Sequence, residues 1–144
     1  MREILFRGKR VSDGKWVYGS YIKATFHWHN YGIHDDWIVT SAGANGGWFA
    51  LGCRYPVIPE TVDQFTGLTD MDGKRIFEGD IVHVTTQLDE EGDGEVAFRD
   101  GSWLIDFDGD DSDSLFNQME IGHVVEIIGN IYDKTALKGG EGNA

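Results

Sequence analysis

One dipeptide constrains this chain more than any other feature: Asp100-Gly101, flanked on both sides by alternating apolar residues. Asp-Gly suits the two-residue type I′ turn, whose positive φ angles match the twist of an antiparallel hairpin. Fixing that turn fixes the pairing, with Phe98 opposite Trp103, Ala97 opposite Leu104 and Val96 opposite Ile105. Phe98, Trp103, Val96, Ile105 and Phe107 then share one face, as a correct register requires. The same register sets Glu95 opposite Asp106, two like charges that repel.

The rest of the chain reads β as well. Ile4–Phe6, Trp16–Ile22, Phe26–Tyr31 and Asp36–Thr40 are short strand-like runs, punctuated by the turn cluster Ser12–Lys15 and by Gly32. Residues 41–47 (SAGANGG) read as a loop, and Trp48–Leu51 resumes an apolar run. Pro56 and Pro59 bracket Val57-Ile58 and make it an edge or connector. Thr61–Phe65 alternates, Asp72-Gly73 turns into Lys74–Phe77, and Ile81–Thr85 is the strongest β-branched run. Leu88–Gly94 reads as an acidic loop and Asp108–Ser114 as a polar one. Leu115–Glu120 reads as one helical turn, and Val124–Tyr132 as a last strand interrupted at Gly129-Asn130. No stretch keeps a helical period over three turns. Short strands with turn signals about every 8–12 residues predict a mostly β fold built as a small barrel, with little helix. The expected organisation is an N-terminal β-region with an aromatic cluster over 1–58, a β-barrel region over 59–137 and a disordered tail over 138–144, or one compact domain.

Charge narrows the function. Twelve basic against 25 acidic side chains give −13, a field that repels a phosphate backbone, so nucleic acid is disfavoured as a partner. The distribution is uneven: residues 1–25 hold six of the basic groups and two acids, +4, which leaves −17 on the rest. Arg2, Arg7, Lys9 and Arg10 on that arm are candidates for contact with acidic surface, the chain's own or a second copy's. One cysteine, Cys53, forms no intrachain disulfide and fits a reducing cytoplasm. No apolar stretch is long enough to span a membrane, and the N-terminus has no secretory apolar segment.

Two clusters are candidate metal sites. His27 and His29 would share a strand face, and His34, Asp35 or Asp36 could complete a zinc-type ligand set. Polar histidines on a solvated face are the stronger reading. The second cluster, Asp106, Asp108 and Asp110, has carboxylates at the first, third and fifth positions of a calcium-like loop, with Glu95 alongside. It departs from an EF-hand: Asp111 stands where the glycine belongs and Asn117 where the bidentate Glu belongs. A divalent cation would relieve the Glu95–Asp106 repulsion, but a solvated acidic rim is again the stronger reading. Ten of the eighteen aromatics lie between Trp16 and Tyr55, and we read them as core rather than as a base-stacking surface. Glu78 and Asp80 as an acid–base pair is a weak reading beside a structural role for Asp80 as acceptor of backbone N–H groups. The chain has no phosphate-loop, nucleophile-elbow or CxxC motif.

Read in order, Pro59–Leu68, Asp70, Asp72-Gly73-Lys74 and Ile76–Val82 form a signature, joined by Arg2–Arg7 at the start and Val125–Tyr132 at the end. This resembles the YopX-like family of phage and prophage proteins. The resemblance implies a mostly β protein with a small SH3-like barrel portion plus additional antiparallel strands, phage-encoded and oligomeric. It carries over no catalytic residue. With no convincing catalytic set in the chain, the expected function is a non-enzymatic accessory module that self-associates and contacts a phage or host protein in the bacterial cytoplasm, without a cofactor. The alternative is a nucleic-acid-related role, by acidic mimicry of DNA or by direct binding through the basic arm. A metal-dependent enzyme is third.

Overall fold

The structure is a computed structural model that describes residues 2–28, 32–40, 53–107 and 111–133, the side chains of 26–28 excepted. The chain is mostly β, and it divides into two compact units, Met1–Phe65 and Thr66–Ala144.

The N-terminal unit contains β1 (Phe6–Lys9), β2 (Trp16–Trp28), β3 (Gly32–Val39), β4 (Arg54–Pro56), a single 3-10 turn at Pro59–Thr61, and the start of β5 (Asp63–Thr69). These strands are antiparallel in the order β4-β3-β2-β1-β5. The turn cluster expected at Ser12–Lys15 joins β1 to β2, with Arg10 N–H donating to Lys15 O at 2.9 Å. Phe26–Trp28 are not a separate strand: they continue β2 past a register shift, and Gly32 opens β3. Val17, Ile38 and Val57 form the core of this unit, with Phe6, Tyr21, Tyr55 and Val62 packed on them. Val57 is therefore more than a connector. Its N–H donates to Asp36 O at 3.0 Å and its side chain is 2% exposed, so β4 is the edge and the residue after it is core.

The C-terminal unit contains the end of β5, β6 (Arg75–Phe77), β7 (Asp80–Thr85), β8 (Glu91–Arg99), β9 (Ser102–Phe107), β10 (Asp111–Ser114), α1 (Leu115–Glu120) and β11 (Val124–Asn130). Five of these strands form a sheet in the order β10-β9-β8-β7-β11. The hairpin has the expected register, Val96↔Ile105, Ala97↔Leu104 and Phe98↔Trp103, around Asp100 at φ 53° and Gly101 at φ 80°. Val96 and Ile105 are fully buried with Ile76, Val82, Val84, Leu115 and Val125. Each such side chain contributes about 1.5–3 kcal/mol by leaving water. Phe98 shares their face but lies half exposed, its ring edge-on to Trp103 at 4.8 Å.

Three expectations need correction. Glu91–Gly94 are not loop but the first part of β8, paired with β7 as Glu91↔Thr85, Gly92↔Val84, Asp93↔His83 and Gly94↔Val82. Glycine and carboxylates have low strand propensity, but tertiary packing overrides it here. A Cβ on Gly94 would lie 2.5 Å from Ile105 Cγ2 and 2.7 Å from Asp106 O, so only glycine admits β9 at that distance. Asp111–Ser114 are likewise a strand, paired with β9, and Ser114 then caps α1 by accepting the Asn117 N–H at 3.2 Å. Finally, the strand order is open: among the described residues it ends at β10 and β11, which do not pair. Both edges are blunted. Asp111 and Asp113 line β10, and β11 is covered by the turn after β5, where Met71 N–H donates to Val125 O at 2.9 Å.

Candidate functional site

A cleft of about 400 Å3 in the N-terminal unit brings together three of the residues singled out from sequence, His34, Asp35 and Asp36. Val11, Ile33, Val57 and Pro59 supply its apolar lining. The three polar residues are consecutive on β3, so Asp35 alternates in face with His34 and Asp36. They do not converge on one point.

Each is already engaged. Asp36, 6% exposed, accepts the Tyr21 hydroxyl at 2.5 Å and the Lys23 ammonium at 3.1 Å, both from β2. Burial pushes the Asp36 carboxyl up, but the Tyr21 and Lys23 donors outweigh it and hold the group below its ordinary value. Burial, with the Asp36 carboxylate opposite, pushes the Tyr21 phenol up to about 12. At neutral pH the pair is thus a fixed anion and a fixed donor, with no proton to exchange. Asp35 is exposed and accepts the Thr25 hydroxyl at 2.9 Å. His34 sets its ring edge-on to Trp37 at 6.0 Å, and its carbonyl accepts the Trp37 indole N–H at 3.0 Å. His29 and the side chain of His27 lie outside the described residues. Among the described residues, no three His, Cys, Asp or Glu side chains are gathered as metal ligands.

The second cluster is held by an arginine. Glu95 and Asp106 do face each other, as the register requires, and the Arg99 guanidinium forks onto the Asp106 carboxylate. That hydrogen bonding holds Asp106 below its ordinary value. Asp108 and Asp110 lie outside the described residues.

Within the basic arm, Arg7 and Lys9 lie on β1. Arg7 is 5% exposed, with its Nε 3.2 Å from Asp63 Oδ2 and its guanidinium 4.6 Å over the Trp16 ring. Lys9 reaches the same ring at 5.3 Å. Arg10 bonds Asp13 and lies 5.1 Å over Tyr55, while Arg2 is exposed. The two units also redistribute the charge. The N-terminal unit has seven basic and six acidic residues, the C-terminal unit five and nineteen, or +1 against −14. The arm's surplus is therefore balanced largely within its own unit.

A family model described as YopX protein matches residues 5–137. The chain belongs to the YopX family. No curated protein matches it. Among solved structures it is similar to protein EF1440 from Enterococcus faecalis, at 20% identity over 95% of this chain and 99% of that one, with a TM-score of 0.53. At that identity the likeness shows a shared fold alone.

The central stretch that resembles the YopX family builds architecture. Asp80, 3% exposed, accepts the Phe77 N–H at 2.8 Å, and Gly79, at φ 84°, exchanges backbone bonds with Val96 and Ile131. Asp70 accepts the N–H groups of Asp72, Lys74 and Ile127. Asp70 and Asp80 of the YopX signature are thus committed acceptors of backbone donors. Sequence reasoning passed over His83, which lies between Asp93 and Glu91 on the sheet of the C-terminal unit. Its signal was the alternating Glu91-Gly92-Asp93-Gly94-Glu95, which places three carboxylates on one strand face. Among the described residues, no helix is long and apolar enough to cross a membrane.

Proposed function

We propose that this YopX-family chain is a phage- or prophage-encoded accessory protein, acting in the bacterial cytoplasm as a non-enzymatic interaction module that self-associates. The observation that carries this reading is the rim of the cleft. Ile33 and Val11 are 68% and 45% exposed beside Asp35, an apolar surface with a polar border of the kind that partners cover. The charge division supports the N-terminal unit as the contact. Two copies meeting through units of +1 avoid the repulsion that two units of −14 would meet. The connectivity of the C-terminal unit supports an SH3-like module there: four strands in meander, one helical turn, and a fifth strand returned beside the first. No cofactor enters this reading. Light scattering of the full chain tests it, with a mass above one chain expected at micromolar concentration. Ile33→Asp should reduce that mass to one chain.

One observation favours a second reading, an acidic surface that imitates nucleic acid toward a host DNA-binding protein. On the outer face of the five-stranded sheet, Glu91, Asp93 and Glu95 follow one another at every second residue of β8, with Asp106 opposite Glu95 and Glu126 opposite His83. Alternate residues of a strand are about 6.7 Å apart, giving a regular row of negative charge. Host DNA-binding proteins captured by the chain and released by free DNA would support this reading. Capture unaffected by DNA would remove it.

A further inference from the structure

His83 projects from β7, with β8 on one side and β11 on the other. Its Nδ1 lies 2.5 Å from Asp93 Oδ1 and its Nε2 2.8 Å from Glu91 Oε1. Ionised carboxylates only accept hydrogen bonds, so a ring that serves both must carry a proton on each nitrogen. The geometry therefore asks for the imidazolium.

The surroundings ask for it too. Asp93 is directly opposite His83 on β8, Glu126 directly opposite on β11, and Glu95 follows along β8 opposite Ile81. The neighbours of His83 on its own face of β7, Ile81 and Thr85, carry no charge. Across the five strands the one permanent cation is Arg99, and its guanidinium is engaged with Asp106. His83 is the remaining side chain of these strands that can become positive.

We propose that His83 is a proton-operated clasp on this sheet. As the imidazolium it bridges Glu91 to Asp93 and partly discharges the outer face. On losing its proton it releases one carboxylate and leaves Glu91, Asp93, Glu95 and Glu126 mutually repelling on β8 and β11. The hydrogen bonds to Asp93 and then Glu91 raise the His83 pKa above its ordinary 6.5. A raised basic group contributes its full stability below the unfolded value, and that contribution disappears as pH rises through the folded value. The C-terminal unit should therefore loosen, and its outer face become more negative, as pH rises through that raised value. This inference is independent of the reading of the N-terminal cleft.

The test is a titration of the imidazole resonances of the full chain by NMR. The account expects a His83 midpoint above 6.5, moved down by Asp93→Asn combined with Glu91→Gln. A midpoint at or below 6.5, or one unmoved by those substitutions, overturns it. Urea midpoints of wild type and His83→Lys, which keeps its charge, give a second readout between about pH 6 and 9. The wild-type midpoint should fall relative to the Lys variant as pH rises, and parallel curves would contradict the clasp. Should the Lys variant fail to fold, the NMR arm decides alone.

Discussion

The Asp70 carboxylate bonds the outer edge of β11: its Oδ2 accepts the Ile127 N–H at 3.1 Å, from 57 residues away in the chain. Its Oδ1 takes the N–H groups of Asp72 and Lys74, each at 2.9 Å. One side chain thus holds its own turn and occupies a position that a neighbouring strand's carbonyl would otherwise fill. An edge covered in this way is closed to chance pairing with other chains.

Asp70→Ala leaves three N–H donors without this acceptor, and we expect it to destabilise the chain by roughly 2–4 kcal/mol in urea unfolding. Burial raises the Asp70 carboxyl, but the backbone donors outweigh it and hold the group below its ordinary 3.8. A lowered acid contributes stability above the unfolded value and loses it as pH falls through the folded value. The gap between wild type and Asp70→Asn should therefore narrow below about pH 4. A constant gap would show that Asp70 acts through packing alone.

Removing one member of the buried Arg7–Asp63 pair takes a charged hydrogen-bonding partner from the other. Asp63→Ala should cost about 3–5 kcal/mol, and the double variant Arg7→Met/Asp63→Leu should recover much of that loss. Chemical denaturation of the three proteins checks the order. A double variant as unstable as the single one would mean that Arg7 acts through its contact with Trp16 rather than through charge.

Gly94→Ala forces a methyl group against Ile105 and the Asp106 carbonyl, at 2.5 and 2.7 Å. We expect a loss of about 1–3 kcal/mol, whereas Gly92→Ala, whose nearest atoms in the Phe107 ring lie at 3.7 Å, should cost less. Melting temperatures of the two variants settle the comparison.

Arg99 already neutralises the carboxylate that a cation would have served. Melting of the chelated wild-type protein should then be unmoved by millimolar calcium or magnesium, and an upward shift would reveal a cation site including Asp106. Arg99→Ala should leave the melting temperature nearly unchanged, because the pair is partly exposed.

The hairpin was legible because a two-residue turn leaves one register, and alternation then places Val96 and Ile105 inside. The β8 start was not, because Gly92 and Gly94 read as turn residues until Ile105 is seen to occupy the space a side chain at Gly94 would need. Asp70 read only as part of a turn, since nothing local points to Ile127. His34, Asp35 and Asp36 were legible as a polar cluster, but the side chains that engage them were not. Alternation separates them, and Tyr21, Lys23 and Thr25, on a different strand, decide what they do. The basic arm was legible as charge, yet its partner Asp63 lies 56 residues away, beyond what spacing can indicate.

The central claim is that the chain self-associates through the cleft of its N-terminal unit. Multi-angle light scattering of wild type and Ile33→Asp, at low and high salt, addresses it most directly. The account predicts a wild-type mass of at least two chains that persists at high salt, and a folded Ile33→Asp of single-chain mass. A wild-type mass of one chain at both salt concentrations would contradict it.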